Sequence, residues 1–285
     1  MLFSLLVTLR EGVEIALIVA IVLGYLKRTD RSVYARQVWL GVGIAAALSI
    51  ALGVVLEFTA ASLSGQVLEA FEGFTMLFAV GVLTWMILWM KRQAAGIGRH
   101  LREQIDTAVR VGSPAALVLL AFSAVAREGL ETVLFLFAGA RNASAADYLL
   151  GGVAGFGIAA AIGYGVYRGS SRLPLRQFFL VSGVVLIVLA AGLVSNALVE
   201  LGEAQVLANQ GPRPWDIDAF LSMNTDLGRF LHAIFGYDSA PTLLQIVAYW
   251  GYLIGVLTVF LTGTVSLRRR RPAATAGSVT QGVGA

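Results

Sequence analysis

The sequence predicts an all-α, polytopic membrane protein: seven transmembrane helices, arranged as an inverted 3+3 repeat plus a seventh helix. Three observations lead there. Of 285 residues, 58% are hydrophobic and 13% charged, with a mean hydropathy of +0.79; soluble domains carry about 45–50% apolar and about 25% charged residues. Seven apolar runs have the roughly 20-residue length that a helix needs to cross the hydrocarbon core. One charged pentapeptide then occurs twice, in the first and fourth of these runs.

The spans fall at about 3–26, 37–57, 67–90, 115–138, 148–167, 177–199 and 243–266. The first resembles a secretory signal only superficially. "MLFSLLVTLREGVE" has no basic n-region and no A-x-A-like cleavage site, so it is expected to be retained as a helix. Polar breaks such as "KRTDRSVYAR" at 27–36 and "RGSSRLPLR" at 168–176 separate the spans. Glycine lies mostly inside them, densest in "GGVAGFGIAAAIGYG" at 151–165, where small residues let helices approach closely. Domain bounds follow: a membrane domain over 1–266 with repeats at about 1–92 and 113–203, an outer loop at 204–242, and the seventh helix at 243–266. The basic end beyond, 267–285, is expected to be a disordered cytoplasmic tail.

Cations set the orientation, because Lys and Arg accumulate on the cytoplasmic side. The first, third and fifth connections and the stretch after the last span hold 16 of the 21 Lys and Arg residues. The amino end is therefore expected outside and the carboxyl end in the cytoplasm, with the chain in the cytoplasmic membrane. Arg268 to Arg271 fit a stop-transfer anchor, not a nucleic-acid site. The long outer loop includes "FLSMNTDLGRFLHAIFGY", whose apolar spacing predicts an interfacial or re-entrant helix.

The repeated pentapeptide is Arg10-Glu11-Gly12-Val13-Glu14 and Arg127-Glu128-Gly129-Leu130-Glu131. Ionised side chains at membrane depth are costly and mark functional sites. Three spans separate the two copies, so their helices run in opposite directions, as in transporters whose inverted halves meet at a midplane site. The rise per residue puts Glu11 and Glu14 about 12–17 Å from the outer start of span 1, and Glu128 and Glu131 about 20–24 Å from the inner start of span 4. Glutamates three apart share a helix face, and the arginine four residues before the second can pair with it. Gly12 and Gly129 remove side chains where a facing helix must come close. Four carboxylates against two guanidiniums leave a net charge of about −2 when ionised, a deficit that a multivalent cation removes.

Carboxylate oxygens suit hard cations. The chain has no cysteine, which excludes disulfides and thiolate ligands, and only His100 and His232 as histidines. Ferric iron, manganese, magnesium and calcium all fit this donor set. Two further Glu-x-x-Glu pairs, Glu69 with Glu72 and Glu200 with Glu203, fall at outer helix ends and form a candidate acidic mouth. Glu57, Asp147, Asp216, Asp218, Asp226 and Asp238 are expected on the same side. Met76, Met86 and Met90, and the many aromatic residues, read as packing or interface anchors. No G-x-x-x-x-G-K-[ST] motif occurs, which argues against direct ATP drive.

With both Arg-Glu-Gly-x-Glu motifs in spans 1 and 4 and "EAFEG" opening span 3, the chain resembles the oxidase-dependent iron transporter family. That family includes the fungal high-affinity iron permeases and the bacterial EfeU-type permease. "GRFLHAIFGYDSAPTLLQIVAYWGY" at 228–252 is similar to the family's approach to its last helix. The resemblance implies a permease, not an enzyme, with iron as transported substrate and no permanently bound cofactor. It implies Glu11, Glu14, Glu128 and Glu131 with Arg10 and Arg127 as the iron-translocating set, and Glu69 and Glu72 as auxiliaries. It also implies ferric iron, supplied by a separate extracytoplasmic iron-oxidising or iron-delivering protein. Lead-uptake permeases share the motifs, so lead and manganese stay open as cargo. A membrane-embedded carboxylate oxidoreductase and a metal sensor are the rival functions; no Glu-x-x-His pair of the di-iron kind lies in any span.

Overall fold

The computed structural model describes residues 1–93, 114–140, 144–169, 175–207, 210–223 and 225–269. Eight α-helices are present among the described residues: α1 (Leu2–Arg28), α2 (Ala35–Ser62), α3 (Gln66–Gln93), α4 (Pro114–Gly139), α5 (Ala145–Tyr167), α6 (Leu175–Glu203), α7 (Asp226–Phe235) and α8 (Leu243–Arg269). Each of the seven apolar runs becomes a helix, extended by a few residues at one or both ends. His100, the basic stretch 94–113, Arg141 and the tail 270–285 lie outside the described residues.

The shortest of the seven long helices, α5, has 23 residues. At 1.5 Å per residue it is about 34 Å long, enough for a hydrocarbon core of about 30 Å. Five of the seven are long and apolar enough to cross a membrane by length and composition alone. The other two, α1 and α4, are the ones that carry the charged pentapeptides near their middles. The outer surface of the bundle is apolar as well: Ile50, Phe58, Phe78, Val153 and Ile254 are all exposed. A face of that kind belongs against lipid.

Local chemistry sets the helix ends. Ser144 caps α5 by accepting from the Asp147 backbone N–H at 3.2 Å, and Thr225 caps α7 by accepting from Gly228 N–H at 3.0 Å. Pro114 opens α4, where its missing N–H costs nothing.

Two helix pairs dominate the packing, α1 with α5 and α2 with α4. In the first, Ser4, Thr8, Gly12 and Ala16 of α1 meet Gly151, Gly155, Ala159 and Gly163 of α5 in parallel. In the second, Gly41, Ser49 and Gly53 of α2 meet Ala121, Gly129 and Val133 of α4, also in parallel. Small residues every fourth position bring the backbones together where burial of apolar surface from water is no driving force. The two ladders correspond residue by residue. Adding 117 to an α1 position and subtracting 110 from an α5 position turns Gly12–Ala159 into Gly129–Ser49, Ala16–Gly163 into Val133–Gly53, and Ser4–Gly151 into Ala121–Gly41.

The remaining long helices close the bundle. α3 packs antiparallel on α6, with Gly73 against Leu201 and Ala197, and α8 packs on α6. The predicted loop helix exists as α7. Its C-cap, Gly236, has φ +62° and lies against the backbone of Gly192, near the middle of α6. The loop therefore dips well below the end of α6 instead of lying flat on the bundle. Leu227, Phe230 and Phe235 of α7 remain exposed on its outer face.

Candidate metal site

The ring of Phe3 occupies the space where a side chain at Gly139 would lie, which levels the start of α1 with the end of α4. This end is called upper here. Glu11 lies eight residues below Phe3, and Glu131 lies eight below Gly139, about 12 Å on each helix. Glu14 and Glu128 are one turn deeper, again matched. The two acidic turns meet at one depth because antiparallel helices mirror each other about the level of that contact.

Glu11, Glu128 and Glu131 each direct a carboxylate oxygen to one place, the three atoms lying within 4.8 Å of one another. All three side chains are buried, Glu11 completely. Their Oε2 atoms are also buried and have no hydrogen-bond partner. Buried polar atoms are almost always satisfied, so three orphaned oxygens in one cluster require a cause. A cation held among them would supply it, and an all-oxygen set suits a hard or borderline ion. Glu14, level with Glu128, is the one motif glutamate not among these three. It pairs with Arg10 Nη2 at 3.1 Å along its own helix.

The two motif arginines are held differently, both by α3. Arg10 is 3% exposed; its Nη1 donates to Glu11 at 2.5 Å, and its Nη2 lies 2.7 Å from Met86 Sδ and 3.1 Å from Met90 Sδ. The Arg127 side chain is 31% exposed, and both its ion pairs run through Nε, at 3.0 Å to Glu131 and 3.9 Å to Glu128. Its guanidinium lies 4.3 Å from the Trp89 ring and 5.5 Å from that of Trp85. Met86, Met90, Trp85 and Trp89 were read from sequence as packing; their four-residue spacing on one helix was the available signal.

Gly12 and Gly129 serve the close approaches expected of them. A methyl group at Gly12 would come within 2.8 Å of Ala159 Cβ, and one at Gly129 would collide with Ser49 Oγ. Neither glycine faces the other motif. They seat α1 on α5 and α4 on α2, and so place the two acidic turns indirectly.

The candidate mouth acids all lie at the upper end. Glu69 and Glu72 are half-buried near the start of α3, Glu200 is half-buried in the last turn of α6, and Glu203 is exposed. Glu72 lines a recess of about 220 Å³ with Glu57, Ala60, Met76, Phe137, Ala138 and Ala140. Glu57 is thus the other acidic residue in the lining of that recess. Glu200 and Glu203 are not among its lining. At helix depths between the recess and the carboxylate triad, Val7, Ala79, Leu83, Phe135 and Leu193 belong to one buried apolar cluster, called the plug here. His232 Nδ1–H donates to the Tyr237 carbonyl at 2.7 Å within the loop, and the residue is not part of either cluster.

Comparison with known proteins matches residues 1–271 to the model of the "Iron permease FTR1 family". The relatives include the protein named "Ferrous iron permease EfeU" from Escherichia coli O6:K15:H31, 36% identical over 263 residues, which are 92% of this chain and 95% of that protein. The protein of the same name from Yersinia pestis is 36% identical over 91% of this chain and 93% of its own length. That from Yersinia pseudotuberculosis serotype I is 37% identical over 90% of each. No solved structure matches the chain.

Proposed function

This chain belongs to the iron permease FTR1 family, transporters and not enzymes, and on that premise we propose that it imports iron through the Glu11–Glu128–Glu131 triad. One observation carries the proposal: three buried carboxylates from two antiparallel helices converge within 4.8 Å. Glu14 and Arg10 complete the site as a paired acid and a fixed counter-charge. Iron sheds water at the upper acids, Glu57, Glu69 and Glu72 foremost, then exchanges onto the triad. Glu200 and Glu203 add to the negative field at the mouth.

The seven long helices are the seven spans, and α1–α3 and α4–α6 are the two halves of an inverted repeat. The matched ladders α1–α5 and α2–α4 support this, because one operation converts three contacts of the first into contacts of the second. The upper end is the outside of the cytoplasmic membrane. In support, Lys27, Arg28, Arg31, Arg36 and Arg168 sit by the lower helix ends and the acids named above by the upper ones.

For the oxidation state, two observations favour ferrous iron at the triad over the ferric form that the family resemblance implies. The relatives are named ferrous iron permeases. Four carboxylates and two guanidiniums leave about −2, which a divalent ion balances. Ferric iron keeps a specific argument too, the all-oxygen donor set, and with it an extracytoplasmic oxidising partner. Uptake of radioactive iron into proteoliposomes tests both. Accumulation with ascorbate that falls with ferric citrate supports ferrous transport; the reverse supports oxidation before entry. Glu11→Gln, Glu131→Gln and Glu14→Ala are each expected to cut uptake at least tenfold. Undiminished uptake in all three removes the triad from the mechanism, and iron binding without accumulation makes the protein a sensor. Competition by manganese and lead measures how far the site discriminates.

A further inference from the structure

We propose that Arg127 is the exchangeable counter-ion of the metal site and that the indole pair Trp85–Trp89 is the seat that receives it when a metal ion binds. The inference rests on the permease reading above. Its starting point is an asymmetry. The two motifs are matched in sequence and depth, yet their arginines are held in opposite ways by one helix, α3.

Arg10 is locked. It is buried, spans Glu11 and Glu14 with its two terminal nitrogens, and backs onto two thioethers. A guanidinium enclosed in this way has nowhere to go. Thioether sulfur is a weak acceptor, so Met86 and Met90 cannot replace the carboxylates if those are taken by a metal. Arg10 therefore stays as permanent counter-charge.

Arg127 is held from one side only. Among the described residues both ion pairs use Nε, and the guanidinium carbon lies over the Trp89 ring at 4.3 Å from its centre, with Trp85 stacked beside Trp89 at 6.0 Å and 23° between ring planes. Glu131 and Glu128, its two carboxylate partners, are two of the three triad ligands. A metal ion entering the triad must compete with Arg127 for both, and two positive charges at such separation repel strongly in a partly desolvated site. A guanidinium that leaves a carboxylate for bulk lipid loses most of its stabilisation. One that slides onto an indole face keeps part of it, because the ring quadrupole attracts the cation without claiming an anionic ligand. The seat is already in contact, so the exchange is a short displacement. A mere cover over Arg127 needs bulk at positions 85 and 89. A seat needs a π-face.

The experiment separates these roles. Iron binding to purified protein and iron uptake into proteoliposomes are measured for the wild type, Trp89→Phe and Trp89→Leu, and for site-specific mono-, di- and trifluoro-tryptophan at position 89, which keep the shape and weaken the quadrupole stepwise. The expected result is a KM for iron about tenfold higher in Trp89→Leu with Vmax changed by less than threefold, most of the affinity recovered in Trp89→Phe, and a KM that rises in order along the fluorination series. Should Trp89→Leu fail to fold, the fluorinated proteins decide alone. Equal shifts in the Phe and Leu variants, or a flat fluorination series in a protein that takes up iron, overturn the seat and leave the permease reading intact. A wild-type protein that neither binds nor accumulates iron removes both.

Discussion

Ser49 of α2 stands where Gly129 of α4 would carry a side chain, and this contact seats one of the two acidic turns. Its hydroxyl donates to the Ala45 carbonyl at 2.9 Å, which keeps it in place. Gly129→Ala is therefore expected to push α4 off α2, destabilise the fold by about 1–3 kcal/mol and reduce iron uptake. Ser49→Gly in the same chain opens the space and is expected to recover most of the lost thermal stability in detergent. If the double variant melts no higher than Gly129→Ala alone, the contact does not set the helix spacing.

The arginines are expected to differ in what their removal costs. Arg10→Leu leaves Glu11 and Glu14 buried without their shared partner, a change of about 3–5 kcal/mol for a broken buried pair. Arg127 is less enclosed, its side chain 31% exposed, so Arg127→Leu is expected to cost less than Arg10→Leu, although its partners Glu128 and Glu131 are themselves buried. Thermal unfolding of the two variants should rank Arg10→Leu well below Arg127→Leu. Equal losses would contradict the difference in burial.

The depth of α7 is open to chemical labelling. Because the sequence has no cysteine, an introduced one reports alone. Gly236 has a positive φ and touches Gly192, so Gly236→Ala is unfavourable both for its own backbone and for its neighbour. A cysteine at Leu231 should react slowly with a membrane-impermeant maleimide in the parent protein and several-fold faster once Gly236→Ala is added. Fast labelling in both would place α7 at the surface.

Sidedness can be checked in the same way. Ser64, at the upper turn between α2 and α3, and Ser32, at the lower turn between α1 and α2, are both exposed. On intact cells, Ser64→Cys should label with the impermeant reagent and Ser32→Cys only after permeabilisation. The opposite pattern inverts the proposed orientation.

Much of this architecture was legible in the chain itself. Apolar run length gave each long helix to within a few residues, because lipid dictates length almost independently of packing. The repeated Arg-Glu-Gly-x-Glu located the carboxylate cluster, since matched depth follows from residue counting along antiparallel helices. That Glu11, Glu128 and Glu131 are the three that converge within 4.8 Å was not legible, because residue spacing fixes the face and depth of a carboxylate but not its side-chain rotamer. The roles of Met86, Met90, Trp85 and Trp89 were hidden for a related reason. Their four-residue spacing marks stripes on α3, but which stripe turns to the arginines depends on its packing against α6 and α4. Glu57 was read as one upper acid among several; only the fold brings it to the recess of Glu72.

The plug formed by Val7, Leu83, Phe135 and their neighbours acts as electrical insulation. A continuous thread of water through four glutamates would short-circuit the voltage and proton gradient on which a cell draws. Among the described residues, the apolar side chains packed at that depth would interrupt such a thread, which would let many copies sit idle in one membrane without leak.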